Sequence, residues 1–352
     1  MEKKNEKGSP GKYIYTYKRN TIRIMSLQGK IVLITGGTSG IGKSAAIACC
    51  KEGGIVIIVG RNHLRGNEVV ELLHQHDQNN NNNNKKSKFM KVDIQNQEDI
   101  KTMIHSIFNE YGDIDMVFNN AGVEQQNQSD MQKLFDSASF MFKVNVLAPI
   151  FIIEECLKRW DSNNKKNTKP RKVIVNNSSI SSASSVTSST TSAIYSSTKA
   201  ALDGYTRGCG SNAHIKNNNI HVYNVNPGVV ETPILNPLIQ STQTENAIGL
   251  AERVNTVKTP DGRALIYPDE ISEVVIAMFN GTTKWRNGDS IACYAGPSTT
   301  SMSIRYETMA MHDKAAREEY MKDTFKYENM CDAKGNPRRG HDGISSGNGS
   351  KL

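Results

Sequence analysis

Residues 30 to 42 read Lys-Ile-Val-Leu-Ile-Thr-Gly-Gly-Thr-Ser-Gly-Ile-Gly. An apolar run that passes straight into a cluster of glycines predicts a buried strand, a tight turn and then a helix over Ile41 to Glu52. Such a strand has no polar face, so both of its sides must be covered. The pattern recurs along the chain. Ile55-Val56-Ile57-Ile58-Val59 is a second continuous apolar strand, followed by a helix from about Asn67 to His76. Phe89 to Asp93, Ile114 to Asn119, Val173 to Asn177, Ile220 to Val225 and Asp289 to Tyr294 continue the series. Helices are expected around Leu134 to Leu147, continuing to Trp160, and from Pro268, where Asp269 and Glu270 suit a first turn. Alternating strands and helices predict an α/β fold with a parallel sheet of about seven strands and helices on both faces.

Residues 78 to 84 are Gln followed by six Asn, and this tract holds nothing that a core could use. A polar surface insertion over 78–88, between a helix and a strand, is the expectation. The hydrophobic share of 37% is low for a wholly packed chain. The net charge of +8 is concentrated in part at the ends, in Lys3, Lys4, Lys7, Lys12, Lys18, Arg19 and Arg23 and again in Arg338, Arg339 and Lys351. No aromatic-interleaved basic stripe accompanies these charges, so solvated tails are expected and nucleic acid is not an expected partner. Residues 1–26 form a basic N-terminal extension without the apolar run of a signal peptide. Residues 298–352 form a C-terminal extension, with a charged amphipathic helix expected over 309–327 and a disordered Gly/Ser/Asn tail after it. No segment reaches the roughly 20 apolar residues of a membrane span.

The six cysteines, Cys49, Cys50, Cys156, Cys209, Cys293 and Cys331, show no metal-ligand spacing, and no metal is expected. Reduced thiols in an intracellular protein are the simplest account of them. The chain ends in Ser350-Lys351-Leu352, which matches a peroxisomal address, so a peroxisomal or cytoplasmic location is expected.

Two segments carry chemistry. In the glycine turn, Gly36 permits the tight bend, Gly40 a close phosphate approach and Gly42 close helix packing. Ser39 and Ile41 complete the turn, and the helix N-terminus behind it offers free N–H groups to a pyrophosphate. Far along the chain, Tyr195 and Lys199 are four residues apart, on one face of a helix. A phenol has an ordinary pKa near ~10, and a neighbouring ammonium is expected to lower it and make it a proton donor at neutral pH.

These blocks, with Asn119-Asn120-Ala121-Gly122, Asn145 in Lys-Val-Asn-Val, and Asn226-Pro227-Gly228-Val229-Val230-Glu231-Thr232-Pro233, resemble the short-chain dehydrogenase/reductase family from about Gln28 to Gly296. The resemblance implies one Rossmann-type doubly wound domain over 27–297, with a substrate lid over 229–267. It implies that Asp93 meets the adenine, that Asn120, Ala121 and Gly122 line the adenine-ribose side, and that Val229 and Thr232 meet the nicotinamide carboxamide. It also implies that Tyr195 is the general acid/base, that Lys199 reaches the ribose, that Asn145 supports a proton relay and that a serine holds the substrate oxygen. Alignment of the strand end, Val175-Asn176-Asn177-Ser178-Ser179, points to Ser179. Spacing back from Tyr195 points instead to Ser182, because the gap from Ser179 is about three residues longer than in relatives. The strand end favours Ser179, since a loop absorbs insertions.

The second strand ends Val59-Gly60-Arg61-Asn62, with no acid to repel a 2′-phosphate, and Arg61 can pair with one. NADP(H) is therefore the expected cofactor, with NAD(H) as the alternative. The expected activity interconverts a carbonyl and an alcohol on a small molecule, apolar or lipid-like if Leu235, Leu238, Ile239, Ile248 and Leu250 of the lid line its site. A catalytically silent dinucleotide sensor or scaffold of the same fold is the alternative, and an epimerase or dehydratase ranks lower. Tyr294-Ala295-Gly296-Pro297 replaces the family's usual last turn, yet a homodimer or homotetramer is still expected.

Overall fold

A computed structural model describes residues 27–77, 86–124, 130–163, 169–182, 190–233, 266–282, 285–295 and 304–308. The N-terminal extension, most of the Asn-rich insertion, the lid between 234 and 265, the candidate helix 309–327 and the terminal Ser350-Lys351-Leu352 lie outside these residues. The chain divides into two units, and everything described belongs to the one spanning Ile14–Thr308.

The first half alternates β1 (Ile31–Thr35), α1 (Gly40–Lys51), β2 (Ile55–Gly60), α2 (His63–Asp77), β3 (Lys88–Lys91), α3 (Gln97–Tyr111) and β4 (Met116–Asn119). Next come α4 (Met131–Phe142), a π-helical turn over Lys143–Leu147, α5 (Ala148–Asn163) and β5 (Lys172–Asn177). A short 3₁₀ turn (Ile180–Ser182), α6 (Thr190–Ser211), α7 (Ala213–Asn217), β6 (Ile220–Pro227), α8 (Pro268–Asn280), β7 (Ser290–Ala295) and β8 (Ile304–Thr308) complete the order. Helix ends follow local chemistry. Asn96 Oδ1 accepts from Glu98 N at 2.9 Å to start α3, and Gly112, at φ +84°, ends it in the left-handed region.

The sheet order is β3-β2-β1-β4-β5-β6-β7-β8. The first seven strands are parallel, as the apolar runs require, and β8 pairs antiparallel with β7, Cys293 opposite Tyr306. The sheet thus runs one strand past residue 297, where the sequence places the end of the domain. β8 is only five residues long and lies after a break in the pattern, so it carries no continuous apolar signal.

Strand alternation divides the core in two. Val32 and Ile34 face the helices α1, α2 and α8, meeting Ala45, Ala46, Leu73, Val274 and Met278 among others. Ile31 and Leu33 face α3 and α5, meeting Ile100, Ile104, Ile152 and Cys156. At the strand starts, buried Lys172 donates to Asp113 Oδ2 at 2.6 Å and Asp115 Oδ1 at 3.2 Å. Asp115 also meets Lys30 Nζ at 3.5 Å, so the cluster holds two cations and two carboxylates. That cluster is at the end of the sheet opposite the glycine turn, so it anchors the scaffold and leaves the strand C-termini free for chemistry.

Candidate active site

Strands wind from β1 outward to β3, then resume beside β1 with β4, so the topological switch lies between β1 and β4. A crevice opens at the C-terminal ends of strands at such a point. Thr35 ties its two sides together: its Oγ1 accepts from Asn120 N and Ala121 N, both at 3.1 Å. Asn120 Nδ2 in turn donates to Thr35 O at 3.0 Å and Gly36 O at 3.2 Å.

The turn leaves no room for side chains. Gly36 sits at φ +64°, and a β-carbon there would stand 2.9 Å from Ala121 Cα. A β-carbon on Gly42 would stand 2.3 Å from Gly36 O. Ser39 is the N-cap residue of α1 but makes no side-chain cap bond, so it leaves the helix's leading N–H groups to other partners. A bare backbone concavity at a helix N-terminus fits a pyrophosphate. Around it, Gly40 lies against Thr232, and Ile266 N donates to Val229 O at 2.9 Å, which fixes the 229–233 segment beside the turn. Arg61 is exposed at the end of β2. Asp93 follows β3, where its carboxylate accepts from Gln95 N and Nε2, each at 3.1 Å.

Helix α6 carries Tyr195 and Lys199 into the same crevice. Lys199 Nζ lies 5.5 Å from the centre of the Tyr195 ring and donates to the Asn177 carbonyl at 2.7 Å. Gly122 adjoins both Lys199 Nζ and Asn145 Oδ1. Asn145, in the π-helical turn, grips Val123 from both sides: Oδ1 accepts from Val123 N at 2.8 Å and Nδ2 donates to Val123 O at 2.9 Å. Its Nδ2 also donates to Thr198 Oγ1 at 3.1 Å, which locks the turn onto α6. The extra residue of a π-turn re-aims Asn145 within an otherwise continuous helix.

The two candidate serines part company. Ser179 faces the Tyr195 side chain, where its hydroxyl favours the phenolate. Ser182 turns away, its Oγ donating to Asp203 Oδ2 at 2.6 Å.

The electrostatics correct one expectation. Burial pushes the Tyr195 phenol up, the Glu124 carboxylate adds to the rise, and only Ser179 opposes it. The lowering expected from Lys199 is not among the causes of the shift. Burial brings Lys199 itself down to about 8, against the charges of Asp203 and Glu124, which hold it up. Four contributors escaped the sequence reading. Thr35 and the Asn177 carbonyl act through strand-end geometry that leaves no pattern. Glu124 lies two residues beyond the Asn-Asn-Ala-Gly block. Asp203 had a signal, since it is four residues past Lys199 on the same helix face.

A doubly wound sheet with an anion-ready helix end and a tyrosine–lysine pair at its switch point defines a nucleotide-binding protein of the oxidoreductase type. A sequence model described as short chain dehydrogenase matches residues 30–243, and the chain belongs to that family. It is 32% identical over 179 residues to a 3beta-hydroxysteroid dehydrogenase of Mediterraneibacter gnavus, covering 51% of this chain but only 58% of that protein. It is 25% identical over 211 residues to a bovine (Bos taurus) 15-hydroxyprostaglandin dehydrogenase [NAD(+)], covering 60% and 72% of the two chains. The fold matches L-sorbose reductase of Gluconobacter frateurii, solved with NADPH and L-sorbose, at a TM-score of 0.64 and 21% identity over 79% of this chain and 99% of the other.

Proposed function

We propose that this protein is an NADP(H)-dependent oxidoreductase that interconverts a carbonyl and an alcohol. The observation that carries the reading is the meeting of Ser179, Tyr195 and Lys199 in the crevice that the glycine turn opens. A bound nicotinamide would supply or take up the hydride. The backbone of Gly36 to Gly42 would hold the pyrophosphate, and Val229 and Thr232 would stand near the carboxamide.

The residues of the chain then manage the oxygen of the substrate. Ser179 donates a hydrogen bond to it and orients the carbonyl. Tyr195 gives its phenolic proton to that oxygen as carbon is reduced and takes one back in the reverse direction. A phenol held up by burial remains protonated at neutral pH, which suits the donor's role in reduction. Lys199, whose Nζ lies 5.5 Å from the centre of the Tyr195 ring, would reload the phenolate with its own proton. Asn145 keeps Val123 and Thr198 in register around the pair. NADPH oxidation across a panel of ketones and aldehydes tests the reading. Tight nucleotide binding with no turnover across a broad panel would replace it with that of a silent sensor.

Preference for NADP(H) is supported by Arg61 and by the lack of an acid at the end of β2. Arg61→Asp is expected to raise KM for NADPH by about tenfold or more while leaving KM for NADH nearly unchanged. A wild-type protein that prefers NADH would overturn this. On α4, Met131 and Phe135 are 77% and 68% exposed and share a face with Phe142, an apolar stripe that supports self-association. Light scattering that reads a monomer would remove that part of the proposal.

A further inference from the structure

One buried acid has no part in the mechanism above. Asp203 is on α6 four residues after Lys199 and eight after Tyr195, so all three share one face of the helix. Its side chain is buried, and among the described residues its hydrogen bonds come from neutral donors. Oδ2 accepts from Ser182 Oγ at 2.6 Å and from Asn226 Nδ2 at 2.9 Å, and Oδ1 accepts from Asn224 Nδ2 at 2.9 Å. Each of those donors belongs to an element next to the crevice. Asn224 and Asn226 are on β6, and Ser182 ends the turn that begins at Ser179.

The geometry of that turn depends on the grip. Ser182 N donates to Ser179 O at 3.0 Å, and Asn226 Nδ2 reaches the same carbonyl at 3.1 Å. Ser181 N donates to Ser179 Oγ at 3.1 Å. At the other end Ser178 N donates to Val225 O at 2.8 Å. Ser179 is therefore suspended between the end of β5 and an anchor at Ser182, and the anchor is a carboxylate on the helix that also carries Tyr195. A carboxylate is suited to this because it is acceptor-only and can satisfy three converging donors. Asparagine would turn an N–H₂ group toward one of them. Burial pushes the Asp203 carboxyl up, and the converging hydrogen bonds with the charge of Arg207 oppose that rise.

We propose that Asp203 is a positioning residue for the reaction: by holding Ser182 and Asn226 it sets Ser179 at a fixed place relative to Tyr195. The inference rests on the reading of Ser179, Tyr195 and Lys199 given above. The charged groups that bear on the cluster are Lys199 and Arg207, one turn to either side on α6, and Glu124, which acts on Lys199 from beyond β4.

The test uses the full-length chain with Asp203→Asn, Ser182→Ala and the double variant. For a carbonyl substrate found in the panel, Asp203→Asn is expected to lower kcat about 10- to 100-fold, with KM and the NADPH Kd within about threefold of wild type. Ser182→Ala is expected to lose several-fold in kcat with the same split, and the double variant to be no worse than Asp203→Asn, because both changes release one anchor. Unchanged kcat in either single variant, additive losses, or an equal loss in NADPH Kd would overturn the proposal. If Asp203→Asn does not fold, the kcat and KM of Ser182→Ala decide alone. Hydrogen exchange supplies a readout without turnover: amides 181 and 182 should lose protection in Ser182→Ala while β6 keeps its own. Unaltered exchange there would refute the grip. A wild-type protein inactive on every carbonyl would instead refute the parent reading and leave the exchange result to judge this one.

Discussion

Lys199 gives the site a pH signature that stability measurements can read. Its ammonium is almost wholly buried, and burial brings its pKa from the ordinary 10.5 down to about 8. An unfolded chain keeps the ordinary value. Below pH 8 both states hold the proton, and the folded state bears the full cost of burying it. Between about 8 and 10.5 the folded state has released the proton and the unfolded state has not, so stability rises with pH across that window. Integrated from pH 7 to pH 10, the gain is about 2 to 3 kcal/mol.

Lys199→Met isolates this effect. The substitution also removes the donor to the Asn177 carbonyl, at a cost of about 1 to 3 kcal/mol, but that cost does not titrate. Urea unfolding of both proteins without added nucleotide, at unit steps from pH 7 to pH 10, gives the difference in stability at each pH. The wild type is expected to gain about 2 to 3 kcal/mol on the variant over the series. Tyrosine and cysteine titrations common to both proteins cancel in the difference. A gap that stays constant within about 0.5 kcal/mol would mean that Lys199 is solvated, and the account of its burial would fail.

Two further substitutions test the scaffold of the site. In Gly42→Ala the new methyl would meet Gly36 O at 2.3 Å and Asn120 Nδ2 at 2.4 Å, so the turn must open. A loss of about tenfold or more in NADPH affinity, read by fluorescence titration, is expected, and unchanged affinity would contradict the cradle. Asn145→Ala removes three hydrogen bonds at once, two of them to Val123, and should cost about 2 kcal/mol in urea unfolding. A neutral result would deny the π-turn its bracing role.

Much of this fold could be read from the chain because strands covered on both faces have no polar positions to confuse them. β1, β2 and the glycine turn between β1 and α1 emerge at almost the residues expected. β8 does not, since an edge strand of five residues is recorded only in its pairing with β7. The helix over Leu134 to Trp160 was legible as a helix, but its π-turn was not: a local change of winding leaves the apolar period nearly intact. In the site, spacing alone brought Tyr195 and Lys199 together, because helical geometry requires it. The direction of the Tyr195 shift was misread for the same reason. Four-residue spacing says that the groups are near, but not that the lysine is buried or that its ammonium points at a carbonyl. The choice between Ser179 and Ser182 also turns on a contact distant in sequence. Ser182 meets Asp203 of α6, and no local pattern announces that pairing.

Under the proposed function the Tyr195 hydroxyl moves the proton. Tyr195→Phe keeps the ring against Lys199 and deletes only that oxygen. Single-turnover reduction by the variant, with NADPH binding measured in parallel, is the most direct trial. The account predicts a rate about 1,000-fold below wild type with nucleotide affinity preserved. A variant that binds NADPH normally and reduces the same carbonyl at the wild-type rate would contradict it.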